Sequence, residues 1–432
     1  MDENSIFIAL IVCFFVLLGV GTPIFASLGV ASIVGFLLYG GFDSLEAIPE
    51  ILYRGMTSYS LLAIPLFVLM GEIVARTSIG GRLFRLFFLW LNKLPGNLAA
   101  ASVASSAIFG AMSGVSVAGA ATIGRFAIPE MLKFGYAGSL AGGTVAAAGA
   151  LALLIPPSIG LVLYGELADQ SVGRLFIAAI IPAAILTSFM FLYVILLAIF
   201  RPHMAPRLTE AVSWTDRLKA LKSIWPALVI GGAVLGSIYL GIATPTEAAA
   251  IGAAGALFVA ALYRELNLRL IIEALRSTAV TTTMIMLILA SALLFGYIIT
   301  RLMIPQSIVM FITALDQPTW VIMLFVLLFL ILIGMFLDLV SLIVITIPVL
   351  LPIVIALQLD PIWFGIVMII ACEMAVITPP IGLNLYVIKG IAPDLSLQQI
   401  INGALPFVFI EVLVLIIITV FPELVLWLPS LM

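Results

Sequence analysis

Two apolar stretches, 148–164 (AGALALLIPPSIGLVLY) and 375–386 (AVITPPIGLNLY), each carry two adjacent prolines in the middle of what otherwise reads as membrane-embedded chain. A proline has no N–H to donate, and its ring clashes with the carbonyl four residues back. Pro156 and Pro157 therefore release the carbonyls of Ala152 and Leu153, and Pro379 and Pro380 release those of Ala375 and Val376. A bare carbonyl inside a bilayer costs a few kcal/mol unless something satisfies it. A bound cation is one solution; a proline kink mended by a neighbouring helix is the plainer one. The kink accounts for one such segment more readily than for two that match. Paired interrupted helices in corresponding halves of a chain point to the binding site of a secondary transporter.

Composition agrees with the membrane reading. The chain is 64% hydrophobic and 9% charged, with mean hydropathy +1.34, whereas a soluble domain carries roughly 25% charge. An all-α polytopic membrane protein is expected. A net charge of −3 without a basic patch gives no case for nucleic acid. Cys13 and Cys372 lie in apolar runs, so neither a disulfide framework nor a metal set is available. The lone histidine, His203, falls in a polar loop and is expected to be solvated. The acidic start, MDENS, lacks the basic region of a cleaved signal peptide, so the first apolar run should remain as a span. No GxxxxGK[ST] loop is present, so pumping must draw on an ion gradient or another subunit. Nor is an enzyme expected: an intramembrane aspartyl protease needs two membrane aspartates where only Asp338 qualifies, and HExxH is missing. A channel or scaffold would explain neither the repeated breaks nor the hairpins described below.

The two halves repeat at an offset of about 222 to 225 residues. Thr22-Pro23-Ile24-Phe25-Ala26 answers to Thr244-Pro245-Thr246-Glu247-Ala248, Gly71 to Gly296, Gly110-Ala111-Met112 to Gly334-Met335-Phe336, Pro129 to Pro352, and Pro182 to Pro406. The proline pairs fall in step between the last two. A first repeat over 1–200, a polar linker at 201–223 and a second repeat over 224–432 follow.

Apolar runs give five crossings per half: near 5–20, 22–41, 61–76, 136–165 and 175–200, then near 224–241, 246–263, 281–300, 361–386 and 405–428. An odd number turns the second copy upside down, as in inverted-topology repeats. Arg201, Arg207, Arg217, Lys219 and Lys222 make the linker cytoplasmic by the positive-inside rule. With the N-terminus outside, Arg76, Arg82, Arg85, Lys93, Arg125, Lys133, Arg264, Arg269, Arg276 and Lys389 join it inside, and only Arg54, Arg174 and Arg301 fall outside. Two apolar stretches, 97–131 and 320–356, are too long for one crossing at roughly 20 residues per span. Each must return to its starting side, so both are expected to be re-entrant hairpins. Amphipathic stretches at 44–60 and 265–278 are expected to lie along the interface.

Candidate residues follow from that layout. Asp338, in GMFLDLVSL at the expected tip of the second hairpin, would suit a hard cation such as Na⁺ beside the Ala375 and Val376 carbonyls, with Ser341 and Thr378 adding hydroxyls. The alternative is an aspartate capping a hairpin helix. In the first hairpin, Ser113 and Ser116 with the Gly114 carbonyl make a neutral equivalent facing Ala152 and Leu153; serines among small residues also serve as packing contacts. Ser158 and Asn384, next to the breaks, are candidate substrate ligands, Asn384 equally an interhelical amide contact. Arg125, the basic residue on a hairpin arm, either attracts an anionic substrate or marks the cytoplasmic entrance. Glu72 is expected to pair with Arg76 four residues on. Glu247 is expected to cap a helix begun by Thr244 and Pro245. Glu373 and Glu411 stay open between a proton-coupling site and an internal ion pair.

GAMSGVSVAGAATIGRFAIPEM, LLIPPSIGLVLYG, VGRLFIAAIIP, GIATPTEAAAIGA, GMFLD and ITPPIGLNLYV, in that order, resemble the large membrane subunit of tripartite ATP-independent periplasmic (TRAP) transporters. The resemblance spans nearly the whole chain. It implies an elevator of inverted repeats whose mobile part holds both hairpins and both broken helices. It implies Na⁺-driven import of an organic acid across the bacterial inner membrane, with a small four-helix membrane subunit and a periplasmic solute-binding protein as partners. Here the small subunit is expected to be a separate chain. Ion sites between each hairpin tip and its broken helix map onto Ser113, Gly114, Ser116 and the stretch before Pro156, and onto Gly334, Asp338 and the stretch around Thr378. Ala152 stands where relatives often have glycine, and Arg125 where a small residue is usual, so the substrate does not transfer. A stand-alone Na⁺- or H⁺-coupled carboxylate symporter is the alternative.

Overall fold

A computed structural model describes residues 2–207 and 212–431; residues 208–211 of the expected linker lie outside them. The first half runs through α1 (Glu3–Gly19), α2 (Ile24–Gly40), α3 (Ile48–Met56), α4 (Ala63–Ala75), α5 (Ile79–Trp90), α6 (Asn97–Ser113), α7 (Ser116–Lys133), α8 (Gly138–Ala150), α9 (Ile159–Leu167) and α10 (Val172–Phe200). The second runs through α11 (Trp214–Tyr239), α12 (Pro245–Leu262), α13 (Leu268–Arg301), α14 (Ile304–Ala314), α15 (Thr319–Gly334), α16 (Leu339–Ala356), α17 (Pro361–Ile377), α18 (Leu383–Ile391), α19 (Leu397–Val420) and the short α20 (Glu423–Leu426). No strand occurs among the described residues. Six of these helices (α10, α11, α12, α13, α16 and α19) and the run Ile24–Met56 through α2 and α3 are long and apolar enough to cross a membrane, seven in all, and an eighth results if α4 and α5, bent by 66°, count as one span. The interrupted helices and several hairpin arms are shorter because their chain turns back or breaks partway.

Helices α1–α4 and α11–α13 pack mainly on one another and form a frame; α6–α10 and α15–α20 form a second group that holds both hairpins and both breaks; α5 and α14 lie between the two, each packing most heavily on a hairpin arm of its own half, α6 and α16. The tightest crossing in the second group is α8 on α19. A Cβ on Gly403 would run into the Ser139 carbonyl, and one on Gly143 would run into Gly403 itself. Small residues let backbones meet this closely, which is how apolar helices associate without a hydrophobic driving force.

Several boundaries differ from the sequence expectation. The stretch at 265–278 is not a separate interfacial helix: α13 runs unbroken through it for 34 residues, capped at its start by Asn267. At 1.5 Å per residue this is about 51 Å, against roughly 30 Å of hydrocarbon, so the polar start projects beyond the apolar layer. Its counterpart in the first half breaks into a 3-10 turn at Gly41–Ala47 and then α3. The linker ends at Ser213, which caps α11; Arg217, Lys219 and Lys222 ride on that helix. Arg217 is buried against the end of α5, donating to the Leu89 carbonyl at 3.2 Å and to Asn92 Oδ1 at 2.7 Å. The last span starts earlier than 405 because Ser396 and Gln399 form a capping box, and it stops at Val420, before Pro422. Helices α5 and α14 were not foreseen. Glu247 completes the capping box with Thr244, Glu72 pairs with Arg76, and His203 is exposed.

Candidate ion and substrate site

Each hairpin tip is seated on the interrupted helix of its own half. The α6–α7 hairpin turns at Gly114, whose φ of +61° favours glycine. A Cβ on Gly110 would lie 2.9 Å from Ala152 Cα, and one on Gly114 would lie 2.6 Å from the Pro157 carbonyl oxygen. In the α15–α16 hairpin, a Cβ on Gly334 would lie 2.8 Å from Ala375 Cβ, and the Ile381 N–H donates to the Met335 carbonyl at 3.3 Å. Gly110 and Gly334 occupy matching positions, as do Ala152 and Ala375, and their surroundings match. Beyond the breaks the halves cross over: α9 packs on α16 and α18 packs on α7. A Cβ on Gly160 would sit 3.2 Å from Leu339. On the other side, Ser116 Oγ donates to Asn384 Oδ1 at 2.8 Å, and Asn384 Nδ2 donates to the Ala146 carbonyl at 2.9 Å, all buried. Asn384 thus makes the interhelical amide contact that sequence left open.

The four carbonyls released by proline fare differently. Leu153 is not bare: Ser158 Oγ, which also caps α9, donates to it. Ala152 faces Pro156 at the fourth position on, and the Ile155 N–H one residue earlier is taken by Leu151 at 2.9 Å. Ala375 receives only a long bond from the Thr378 N–H, at 3.4 Å. Val376 has Pro379 and Pro380 at both positions from which a helical donor would come. Ile381, at the place matching Ser158, brings no hydroxyl to it. The second break is therefore the less satisfied of the two.

Asp338 is the N-cap of α16. Its Oδ2 accepts from the Val340 N–H at 3.1 Å and the Ser341 N–H at 3.4 Å, and its Oδ1 accepts from Ser341 Oγ. The capping reading holds, and it leaves the carboxylate with lone pairs to spare, since two oxygens offer about four acceptor sites. Thr378 Oγ1 donates to the Met374 carbonyl at 2.6 Å and keeps its own lone pairs. Ser113 is buried at the first tip, and its hydroxyl has no hydrogen-bond partner among the described residues. The two tips thus present a neutral hydroxyl in one half and a carboxylate in the other. No cluster of three or more His, Cys, Asp or Glu occurs among the described residues. The donors on offer are carbonyls, hydroxyls and one carboxylate, a set that suits a hard monovalent cation better than a transition metal.

Arg125 stands apart from both tips, nine residues along α7 from Ser116, or about 14 Å at helical rise. It lines a cavity of about 600 Å³ between α4, α7 and the start of α13, together with Arg76, Thr122, Arg269 and Glu273. Glu373 on α17 and Glu411 on α19 are fully buried and within electrostatic range of each other; Glu373 lies near the Leu154 N–H, and neither Glu411 oxygen has a hydrogen-bond partner among the described residues. No ion pair accounts for them among the described residues. Their pairing across two packed helices has no local signature in the chain.

Crossed helical hairpins seated on interrupted helices define a membrane transporter fold. The YdaH transporter of Alcanivorax borkumensis shares it, with a TM-score of 0.63 at 18% identity over 93% of this chain and 96% of that one. Neisseria gonorrhoeae MtrF superposes with a TM-score of 0.55 at 13% identity, over 98% and 97%. Within that fold, the chain belongs to the DctM component family of tripartite ATP-independent periplasmic transporters, whose model matches residues 11–424. The C4-dicarboxylate TRAP transporter large permease protein of Pseudomonas aeruginosa is 36% identical over 94% of both chains. The sialic acid TRAP transporter large permease protein of Vibrio cholerae is 31% identical over 96% of both, and the ectoine protein of Halomonas elongata 32% over 96% and 97%. The chain is a transporter subunit and not an enzyme.

Proposed function

We propose that this chain is the transport subunit of a Na⁺-coupled TRAP system that imports an organic anion handed over by a periplasmic solute-binding protein, in company with a small four-helix membrane subunit. The observation that carries the reading is the second break: the Val376 carbonyl, without a local donor, next to the tip that bears Asp338. Sodium, as cargo, would take oxygens there and at the first tip, from Ser113, Gly114 and the Ala152 carbonyl. Cation binding neutralises the carboxylate and orders the backbone on which the anion rests. A fully loaded site then crosses as a compact unit, while a half-loaded one carries polar groups into lipid at a cost of several kcal/mol. The moving unit in this reading is the group α6–α10 with α15–α20, sliding against the frame as an elevator. The membrane is the bacterial inner membrane, with the N-terminus periplasmic and the arginine-rich end cytoplasmic. Relatives at similar identity are named for C4-dicarboxylates, sialic acid and ectoine, so the substrate is set by details of the site and by the binding protein.

The test is uptake into proteoliposomes holding the two membrane subunits, with the binding protein outside. An inward Na⁺ gradient should drive accumulation, and Asp338→Ala should abolish it while leaving assembly with the small subunit intact. Uptake that persists when Na⁺ is replaced by K⁺ would remove sodium from the mechanism. Full-rate uptake of free substrate without the binding protein would favour the stand-alone symporter.

A further inference from the structure

Helices α5 and α7 form a wedge. They touch at one end, where Gly80 meets Thr122 and a Cβ on Gly81 would lie 3.0 Å from the Phe126 ring. From there they diverge toward Phe88 and Phe134, leaving a groove of about 630 Å³ floored by Leu98 of α6. Its walls repeat at helical spacing: Gly81, Arg85 and Leu89 along α5, and Arg125, Pro129 and Lys133 along α7. The spacing i, i+4, i+8 puts each set on one face, over about 12 Å of helix.

The lining has two characters. Phe84, Phe88, Phe126 and Phe134 are apolar and flat, while Arg85, Arg125 and Lys133 are cationic. Against these three cations stands one acid, Glu130, 3.6 Å from Lys133. Arg85 and Arg125 have neither ion pair nor hydrogen bond among the described residues. The groove therefore holds a surplus of positive charge beside aromatic surface. It lies at the end of the molecule where Arg217 of α11 packs on the end of α5 and Arg82 of α5 reaches Glu265. A water-soluble anion would satisfy the guanidinium groups and leave the phenylalanines wet. A neutral lipid would do the reverse. Only a molecule with an anionic head and an apolar tail matches both halves, and basic pockets between membrane helices are where acidic headgroups bind.

We propose that this groove binds one anionic phospholipid, its phosphate held by Arg85, Arg125 and Lys133 and an acyl chain lying over Phe84, Phe88 and Phe134. The lipid would tie α5, which packs on α11 of the frame as well as on α6, to the hairpin arm α7. Its occupancy would then set how freely the two groups slide. Because α7 belongs to the unit taken to move, the effect on uptake rests on the elevator reading; lipid binding itself does not.

The experiment reads binding and uptake separately. Delipidated protein is titrated with phosphatidylglycerol or phosphatidylcholine and weighed by native mass spectrometry. Wild type should retain one phosphatidylglycerol at least tenfold more tightly than phosphatidylcholine. The double variant Arg85→Gln/Lys133→Gln should lose that preference, and Arg85→Lys should keep it. Both positions are at the surface, so folding is not at stake, and a thermal melt verifies it. Equal retention of the two lipids, an unchanged preference in the double variant, or displacement by inorganic phosphate would each overturn the proposal. In vesicles of pure phosphatidylcholine the double variant and wild type should transport alike; adding phosphatidylglycerol should change the rate of wild type alone. If binding behaves as expected and the rate does not respond, the bridging role fails while the site stands.

Discussion

Ser158 and Ile381 occupy matching places after the two proline pairs, and one hydroxyl separates their breaks. Ser158 Oγ donates to the Leu153 carbonyl five residues back; nothing at Ile381 does this for Val376. The difference is chemical, and it yields a prediction. A serine at 381 would reach the Val376 carbonyl as Ser158 reaches Leu153, and would then compete with a cation for that oxygen. Ile381→Ser should raise the Na⁺ concentration needed for half-maximal uptake several-fold while leaving expression and the maximal rate near those of wild type. Unchanged Na⁺ dependence would show that Val376 is not a ligand. Ile381 is 39% exposed, so the substitution leaves no cavity. Residue-level reading was strongest where a group acts on its own neighbours. The Thr244–Glu247 box, the Glu72–Arg76 pair and the proline-released carbonyls all depend on spacings of three to five residues. The Ser116–Asn384 bond joins residues far apart in the chain, and no spacing rule predicts it.

Among elements, the α8–α19 crossing is the most demanding. Gly143 and Gly403 are in contact through their backbones, so any side chain at either must push the helices apart. Overpacking of this kind costs typically 1–3 kcal/mol, occasionally more. Gly403→Val should lower the melting temperature in detergent markedly and reduce the yield of folded protein. Gly390, with nothing within 4 Å of a Cβ, is the control: Gly390→Ala should melt at or slightly above wild type. Equal melting of the two variants would mean that the crossing is not a point of tight packing. The proline pairs and hairpin turns were legible as elements because proline and glycine act locally. The unbroken course of α13 was not legible. Its polar start reads as an amphipathic surface segment, and a helix continues through such a stretch when tertiary contacts hold its far end.

At the scale of the whole molecule, the cavity between α4, α7 and α13 lies on the boundary between the frame and the hairpin-bearing group. If the second group moves against the first, the width of this cavity must change with the transport cycle. Thr122 lines it from the hairpin side. In a background with Cys13 and Cys372 replaced by serine and alanine, Thr122→Cys should react with a membrane-impermeant thiol reagent at a rate that differs at least threefold between Na⁺ alone and Na⁺ with substrate and binding protein. A rate indifferent to both would argue against relative motion at this boundary.

The chain by itself determined the membrane setting, the two hairpins, the two interrupted helices and the capping of several helix ends. Each follows from local physics: apolar length, missing N–H groups, left-handed glycine, hydroxyls and carboxylates one turn from a helix start. Tertiary structure alone decided which carbonyls stay bare, which helices of one half lock onto the hairpin of the other, and where aromatic and cationic side chains from α5 and α7 converge. Those outcomes depend on which surfaces meet, and that is fixed only when the backbones of all the helices have packed together.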